Sequence, residues 1–284
     1  MSLDPDDILQ RCGDILFAHW QTLLQQRSTT LERAEAERIH DLRVASRRFR
    51  SAIDTFGNAA SKDARSYLKK NIRSLTRSLG DLRNLDEARS YFSDKLPKSD
   101  PLLAKLCRQF DAARRKELVH CLEQLERLDC RELDRSVRRV VANLTDSSNI
   151  KILSGISPAA YFQQRSDQFF HSVDDLIAIS HMPERHDERH ALRIAIKKRR
   201  YFLEIAAVVL DKNLDDEIAR HKEYQTLLGK LNDLRVFAQL LDACSLSLRE
   251  KKRLAALQTS DEQALFSQFV KLCTSSPLLP LTLI

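Results

Sequence analysis

The chain has 284 residues, of which 43% are apolar and 31% are charged, and its formal net charge is +7. The apolar content supports a packed core and excludes wholesale disorder. Only 5 glycines and 7 prolines are present, too few for the many tight turns of a β-sandwich or barrel. Because leucine, alanine, arginine and glutamate dominate instead, the composition predicts an all-α fold. The modest net positive charge is weak evidence for an anionic partner, so any anion-binding site must arise from how the cations are arranged.

The N-terminal segment shows no targeting signal, because residues 1–7 are acidic and lack the apolar core of a signal peptide. No apolar run in the chain approaches the roughly 20 residues that a membrane span needs. The six cysteines show no Cys-x-x-Cys spacing, which favours reduced thiols over a zinc site. We therefore expect a cytoplasmic protein with no membrane span, no metal and no cofactor.

Periodic apolar segments separated by turn signals predict helices along the whole chain. In the first half they span approximately 6–26, 32–56, 61–79, 84–93, 101–128 and 131–144. The polar stretch 145–158 is the linker long enough to separate two domains. Helices resume at approximately 159–180, 187–210, 213–228, 233–247, 248–258 and 261–274. We interpret Gly80 and Gly229 as the residues that end a helix, with Asn84 and Asp233 capping the next one.

Two blocks of sequence recur in the same order in the two halves. The block from His40 to Arg50 aligns with His190 to Arg200 at an offset of 150 residues, and residues 79–86 align with 228–235 at an offset of 149. Two blocks at nearly the same offset predict an internal duplication. We therefore expect two helical bundles, residues 1–147 and 156–284.

Each repeat carries a stripe of cations on one helix face. The four positions are His40, Arg43, Arg47 and Arg50 in the first repeat, and His190, Arg193, Lys197 and Arg200 in the second. At about 100° per residue they fall within an arc of roughly 80°, which Arg48 and Lys198 widen. Such neighbours repel one another unless an anion or carboxylates neutralise them. The stripes therefore favour an anion-binding surface over a plain solvated face.

Apolar residues border each stripe on both sides, which favours a cavity wall over an outer surface. On one side of the stripe lie Ile39, Leu42, Phe49 and Ile53 in the first helix, and Leu192, Ile196 and Leu203 in the second. On the other side lie Val44 in the first helix, and Ile194 and Tyr201 in the second.

Each stripe also carries one carboxylate. Asp54 follows Arg50 by four residues and Glu204 follows Arg200 by four, a spacing at which the carboxylate can orient the guanidinium. A single carboxylate on each stripe gives no pair for hydrolysis, so we expect no catalytic group.

A third basic row makes the two halves unequal. Lys69, Arg73 and Arg77 follow one another at i, i+4 and i+8 in the first half, whereas the second half retains Lys222. We therefore expect the first half to contribute more cations to the binding of an anion than the second half does.

These paired motifs resemble those of the CHAD family, the conserved histidine α-helical domain. The matching residues are His40, Arg43, Arg47, Arg48, Arg50, Leu79, Gly80, Arg83 and Asp86, then His190, Arg193, Lys197, Arg200, Tyr201, Glu204, Lys222, Gln225, Leu228, Gly229, Asn232 and Asp233. Asn84 and Tyr224 depart from the family pattern, which has Asp and Leu there. The resemblance implies two four-helix bundles related by pseudo-twofold symmetry, with the basic helices facing a central cavity.

The resemblance also implies binding of inorganic polyphosphate, or of a similar polyanion, by a stand-alone module that is not an enzyme. Some family members carry a fused triphosphatase domain, but the Glu-x-Glu-x-Lys motif of that domain is absent here. Polyphosphate granules are a further candidate partner. The predicted binding residues are His40, Arg43, Arg47, Arg48, Arg50, Lys69, Arg73, Arg77, Arg83, His190, Arg193, Lys197, Lys198, Arg200 and Lys222.

Nucleic acid is the main alternative ligand. Base recognition calls for aromatic side chains among the cations, and only Tyr201 borders them. A zinc enzyme is a second alternative, because His186 and His190 have the i, i+4 spacing of the His-Glu-x-x-His motif; Asp187, however, stands where that motif has Glu. Binding to anionic lipid is a third alternative, and it would require an exposed amphipathic helix instead of a paired cavity.

The apolar tail 276–284 is expected to dock on the protein's own surface, with a partner-binding role left open.

Overall fold

The computed structural model describes residues 4–56, 61–146 and 156–283. Over these residues the chain forms nine helices and no strand, which confirms the all-α prediction. They are α1 (Pro5–Glu32), α2 (Ala36–Phe56), α3 (Lys62–Lys95), α4 (Pro101–Glu126), α5 (Cys130–Thr145), α6 (Pro158–Ser180), α7 (His186–Leu210), α8 (Asp215–Asp242) and α9 (Leu248–Ser275). None of the helices in the described ranges has the length and apolar character needed to cross a membrane.

Local sequence determines where several helices begin. Asp4, Asp100 and Ser157 each accept a hydrogen bond from a backbone N–H of the first turn and are followed by a proline. The side-chain oxygen satisfies a free helical donor, and proline lacks the N–H that would need another partner. At the start of α9, Ser247 and Glu250 form a reciprocal capping box.

The predicted helix ends at Gly80 and Gly229 are wrong. Helix α3 continues through Gly80 and α8 through Gly229, so Asn84 and Asp233 lie inside helices rather than at their starts. A glycine inside a helix costs only about 1 kcal/mol relative to alanine. Burial of apolar side chains on both sides of the glycine, such as Leu82 after Gly80, outweighs that cost. Helix α9 is likewise a single helix where two were predicted.

The apolar core crosses between the two halves of the chain. Helices α1, α2 and α5 of the first half share one cluster with α6 and α7 of the second, in which Trp20, Phe49, Phe162 and Phe202 are fully buried. Helices α3 and α4 share another cluster with α8 and α9. The division into bundles 1–147 and 156–284 stays a prediction, because most of its linker lies outside the described residues.

The C-terminal tail docks on the protein's own surface, as expected. Gln163 Nε2 donates to the Leu281 carbonyl at 3.1 Å, and Gln163 Oε1 accepts from the Leu283 N–H at 2.6 Å. Arg199 Nη2 donates to the Leu279 carbonyl at 2.6 Å. The tail thereby ties α6 and α7 together.

Candidate functional site

A cleft of about 430 Å³ opens between α2, α3, α6 and α7. We call it the basic cleft, because most of its polar wall residues are basic: Arg43, Arg47, Arg50, Arg65, Arg165, His190, Arg193, Lys197 and Lys198. Among the residues that the structure describes, Asp54 is the only acidic member of the wall. The cleft therefore concentrates positive charge that its own carboxylates do not balance.

The apolar faces of α2 and α7 aim the cations into the cleft. Leu42 and Phe49 of α2, and Leu192 and Ile196 of α7, are fully buried. These residues lie on one side of each helix, about 120° from the centre of its basic stripe, so burying them turns the stripe toward the other helix. Helices α2 and α7 contact each other directly, which brings the two stripes into one cleft.

Several guanidinium atoms in the basic cleft are buried without a partner. Arg43 Nε, Arg47 Nη2 and Arg193 Nε are inaccessible to solvent and make no hydrogen bond within the described part of the chain. Buried polar groups are nearly always hydrogen-bonded, and one left unpaired costs about 1–3 kcal/mol. The wall of the basic cleft thus leaves three buried guanidinium nitrogens unsatisfied within the described ranges.

The cations of the basic cleft perturb one another. Burial, followed by repulsion from Arg193, Arg47 and Arg43, lowers the pKa of Lys197 to about 5. Burial, followed by repulsion from Arg47, Arg83 and Arg193, lowers the pKa of Arg43 to about 9. Burial also lowers the pKa of Arg47 and of Arg193. A bound anion would relieve this repulsion and favour the charged forms.

The carboxylates on the two stripes have different partners. Glu204 accepts a hydrogen bond from Arg200 Nη1 at 2.8 Å, as the four-residue spacing predicts. Asp54, in contrast, pairs with Lys69 of α3 rather than with Arg50. The guanidinium of Arg200 also lies 4.4 Å from the ring centroid of Tyr201, and Arg200 is not among the residues that line the cleft.

The two stripe histidines also differ. His190 lines the cleft, and its Nδ1 is hydrogen-bonded to Asn232 Oδ1 of α8. Because a carboxamide oxygen only accepts, His190 Nδ1 carries a proton. His40 is exposed near the start of α2, outside the cleft wall. The structure thus brings one histidine of the pair into the site.

Other predicted binding residues lie at the margin of the cleft. Arg83 of α3 is 3.8 Å from Asp233 and 3.0 Å from Glu87, close enough to the cluster to lower the pKa of Arg43. Arg48 faces a separate hollow beside α1, where its Nε lies 3.9 Å from Glu204.

The third basic row and Lys222 lie outside the cleft wall as described. Lys69 is held by Asp54, and Arg73 and Arg77 are exposed on α3. Lys222 is exposed on α8. A binding role for these four residues stays a prediction.

Several wall residues were missed by sequence reasoning. Arg65 and Thr76 come from α3, and Arg165 and Phe169 from α6. None of them belongs to a repeated motif, so the duplication gave no signal for them. The i, i+4 spacing of Arg165 and Phe169 is the single local hint, because it places both on one helix face.

The two histidines behind the zinc alternative face different neighbours. His186 Nδ1 lies 3.3 Å from Glu262 of α9, whereas His190 is held by Asn232 of α8. Within the described ranges no group of three His, Cys, Asp or Glu side chains is placed to hold a metal ion. The geometry therefore gives the zinc reading no support.

One protein family and two solved structures are similar to this chain. The family model for the CHAD domain matches residues 14–242. The CHAD domain from the plant Ricinus communis is similar in structure, with a TM-score of 0.66 and 20% identity over 98% of this chain and 91% of that one. PptA from Streptomyces chartreusis has a TM-score of 0.67 and 15% identity over 94% of this chain and 99% of that one. The chain has no significant match among curated proteins.

Proposed function

This chain belongs to the CHAD domain family, and we propose that it binds inorganic polyphosphate in the basic cleft without converting it. The observation that carries the proposal is the gathering of Arg43, Arg47, Arg50, Arg193 and Lys197 from two helices into one cleft whose described wall holds a single carboxylate. A row of phosphates neutralises these basic side chains.

The chemistry of the wall suits this ligand. Polyphosphate offers closely spaced negative charges and neither bases nor sugars. Guanidinium groups bind phosphate through two parallel N–H···O bonds, and an ammonium group binds it as a point charge. The cleft presents both kinds of cation, three arginines among them from α2 and one lysine pair from α7. A bound phosphate also opposes the burial and the repulsion that together lower the pKa of Lys197.

The proposal includes no catalytic step. General acid–base catalysis needs a side chain that is free to exchange a proton with the substrate. Asp54, the one carboxylate of the described wall, pairs with Lys69. This contact gives no support to hydrolysis.

Charge reversal on both helices tests the proposal. We expect the double variant Arg43→Glu/Arg193→Glu to lose polyphosphate binding, measured by titration calorimetry, while circular dichroism shows unchanged helical content. The matched control is Arg139→Glu/Arg249→Glu, which makes the same change in net charge at two exposed positions outside the cleft. Retained affinity in the first variant, or an equal loss in the control, would contradict the proposal.

Competition between polyanions tests the preference over nucleic acid. We expect polyphosphate to displace single-stranded RNA readily and RNA to leave bound polyphosphate in place, because the wall carries many basic side chains and polyphosphate presents its negative charges more closely spaced than RNA does. Equal affinity per phosphate for the two polymers would remove the preference.

We also propose that the protein is cytoplasmic and associates with polyphosphate granules. All six cysteines are free thiols, which suits the reducing cytoplasm, and polyphosphate granules there present the same ligand. We expect fluorescently tagged protein to colocalise with stained granules and the Arg43→Glu/Arg193→Glu variant to be diffuse. A diffuse distribution of the unmodified protein would contradict this extension.

A further inference from the structure

The basic cleft has an apolar side that inorganic polyphosphate does not use. Phe169 of α6 and Ile194 of α7 line the cleft together with the cations, and Ile194 leaves 40% of its surface exposed. Polyphosphate exposes charged oxygens, which gain nothing from contact with hydrocarbon. The apolar side therefore fits a ligand that carries an apolar or planar group in addition to its phosphates.

The α6 part of this side is built as a stacking surface. The guanidinium of Arg165 lies 4.8 Å from the ring centroid of Phe169, and Phe169 is held from behind by Phe202 at 5.2 Å. Arg165 Nη1 donates to Gln168 at 3.0 Å, while its Nε is buried without a partner in the described part of the chain. Planar bases stack on both aromatic rings and guanidinium planes.

Tyr201 is not available for the same purpose, although it also lines the cleft. Its side chain is buried, with guanidinium groups of Arg200 and Arg47 at 4.4 and 5.4 Å from the ring centroid. Its ring is thus already occupied by two cations. The Phe169 ring is likewise covered by Arg165, so stacking on a ligand is left to the guanidinium plane of Arg165, which Phe169 supports, and to packing against Ile194.

The size of the cleft agrees with a small organic phosphate. Its volume of about 430 Å³ falls within the range of roughly 300–1,000 Å³ found for small-molecule sites. Such sites combine apolar walls with a few polar groups that fix the ligand's orientation. Here the phosphate-binding cations and the apolar side lie within one cleft.

We propose that the basic cleft also binds nucleoside oligophosphates. The phosphates contact Arg43, Arg47 and Arg193, and the base packs between Ile194 and the Arg165–Phe169 pair. This inference rests on the proposed function, because the same cations hold the phosphates of both ligands.

A comparison of ATP with inorganic tripolyphosphate, in EDTA and without magnesium, tests the inference by titration calorimetry. Both ligands have three phosphates, and tripolyphosphate carries the greater negative charge because neither of its ends is esterified. Charge alone therefore favours tripolyphosphate. We expect ATP to bind about tenfold more tightly, which corresponds to about 1.4 kcal/mol. Equal or weaker binding of ATP would overturn the inference.

Two substitutions locate the base. We expect Ile194→Ser and, separately, Phe169→Leu to bring the affinity for ATP down to that for tripolyphosphate, while the affinity for tripolyphosphate is unchanged. The matched control is Ile179→Ser, since Ile179 of α6 is 41% exposed and lies outside the cleft wall; it should keep the tenfold preference. A preference for ATP that survives both cleft substitutions would overturn this placement of the base.

The two proposals fail in different ways. If long-chain polyphosphate binds but ATP has no advantage over tripolyphosphate, the nucleotide inference is wrong and the proposed function stands. If long-chain polyphosphate does not bind, the proposed function is wrong, whatever the result with ATP.

Discussion

Helices α2 and α7 carry matching basic stripes, yet the structure surrounds equivalent arginines differently. Arg50 of α2 lines the basic cleft, and its neighbour Asp54 pairs with α3 instead. Arg200 of α7 is only 8% exposed, donates to Glu204 and lies over Tyr201. The same position in the repeat thus presents a cation to the basic cleft in one helix and pairs with a carboxylate of its own helix in the other. Equivalent charge spacing does not imply an equivalent role.

Arg199, next to Arg200, shows the structural role at its extreme. Its side chain is fully buried, lies 3.6 Å from Glu217 and donates to the tail carbonyl of Leu279. Its guanidinium also lies 5.0 Å from the ring centroid of Phe170. Buried cations among the described residues therefore differ in their surroundings: Arg199 contacts Glu217 and the Leu279 carbonyl, although its Nε and Nη1 have no partner there, whereas Arg43, Arg47 and Arg193 line the cleft.

The largest expected effect separates these two groups by stability. We expect Arg199→Met to lower the free energy of unfolding by about 3 kcal/mol, because it leaves Glu217 with one cation fewer in a buried site. Arg193→Met, at a cleft position, should leave it unchanged or raise it by about 1 kcal/mol, because the substitution removes a buried Nε that has no partner in the described residues. Urea denaturation measures both. Equal losses in the two variants would abolish the distinction.

The next effect compares equivalent positions on the two helices. We expect Arg200→Met to cost about 2 kcal/mol of stability through loss of the charged hydrogen bond to Glu204, with little change in affinity for polyphosphate. Arg50→Met should do the opposite, weakening binding severalfold and changing stability by less than about 0.5 kcal/mol. Denaturation and calorimetry on both variants check this, and a binding defect in Arg200→Met alone would reverse the assignment.

The third effect compares Arg47 with Lys197, which occupy the same position in the two repeats. Burial and the cations Arg193, Arg47 and Arg43 lower the pKa of Lys197 from 10.5 to about 5, with Asp233 opposing them, so its amine is mostly neutral at pH 7. Bound phosphates favour the ammonium form. We therefore expect binding to take up about one proton between pH 5 and 10.5, and affinity to fall as pH rises through that window.

Calorimetry at pH 7.5 in two buffers of different ionisation enthalpy measures this proton. The matched variant is Lys197→Arg, whose guanidinium keeps its charge; it should retain binding and lose the dependence on buffer. Identical enthalpies in the two buffers for the unmodified protein would show that Lys197 is already charged before the ligand arrives.

The smallest effect concerns the two histidines. We expect Asn232→Ala to weaken polyphosphate binding about threefold, because His190 loses the hydrogen bond that orients it. His40→Ala should change affinity by less than that, since His40 lies outside the cleft wall. Parallel titrations of the two variants measure the difference, and a larger effect at His40 would place the ligand at the start of α2.

The sequence alone determined the helical class and the arrangement of the basic stripes. Both are local properties, because 3.6 residues per turn place Arg43 and Arg47, like Arg193 and Lys197, beside an apolar stripe that must be buried. The pairing of Arg200 with Glu204 was also predictable from its i, i+4 spacing. The helix ends at Gly80 and Gly229 were not, because the weak helical preference of one glycine yields to packing along the whole helix.

Only the tertiary structure decided which cations are available to a ligand. Whether a guanidinium has a partner depends on residues far away in the chain, such as Glu217 and the Leu279 carbonyl for Arg199. The same holds for the side of the cleft formed by Arg165 and Phe169, which α6 contributes without any repeated motif. The spacing of charges is a property of one helix and can be derived from its sequence. The neutralisation of a charge requires a second helix or the tail to approach it, and the packing of the core determines that approach.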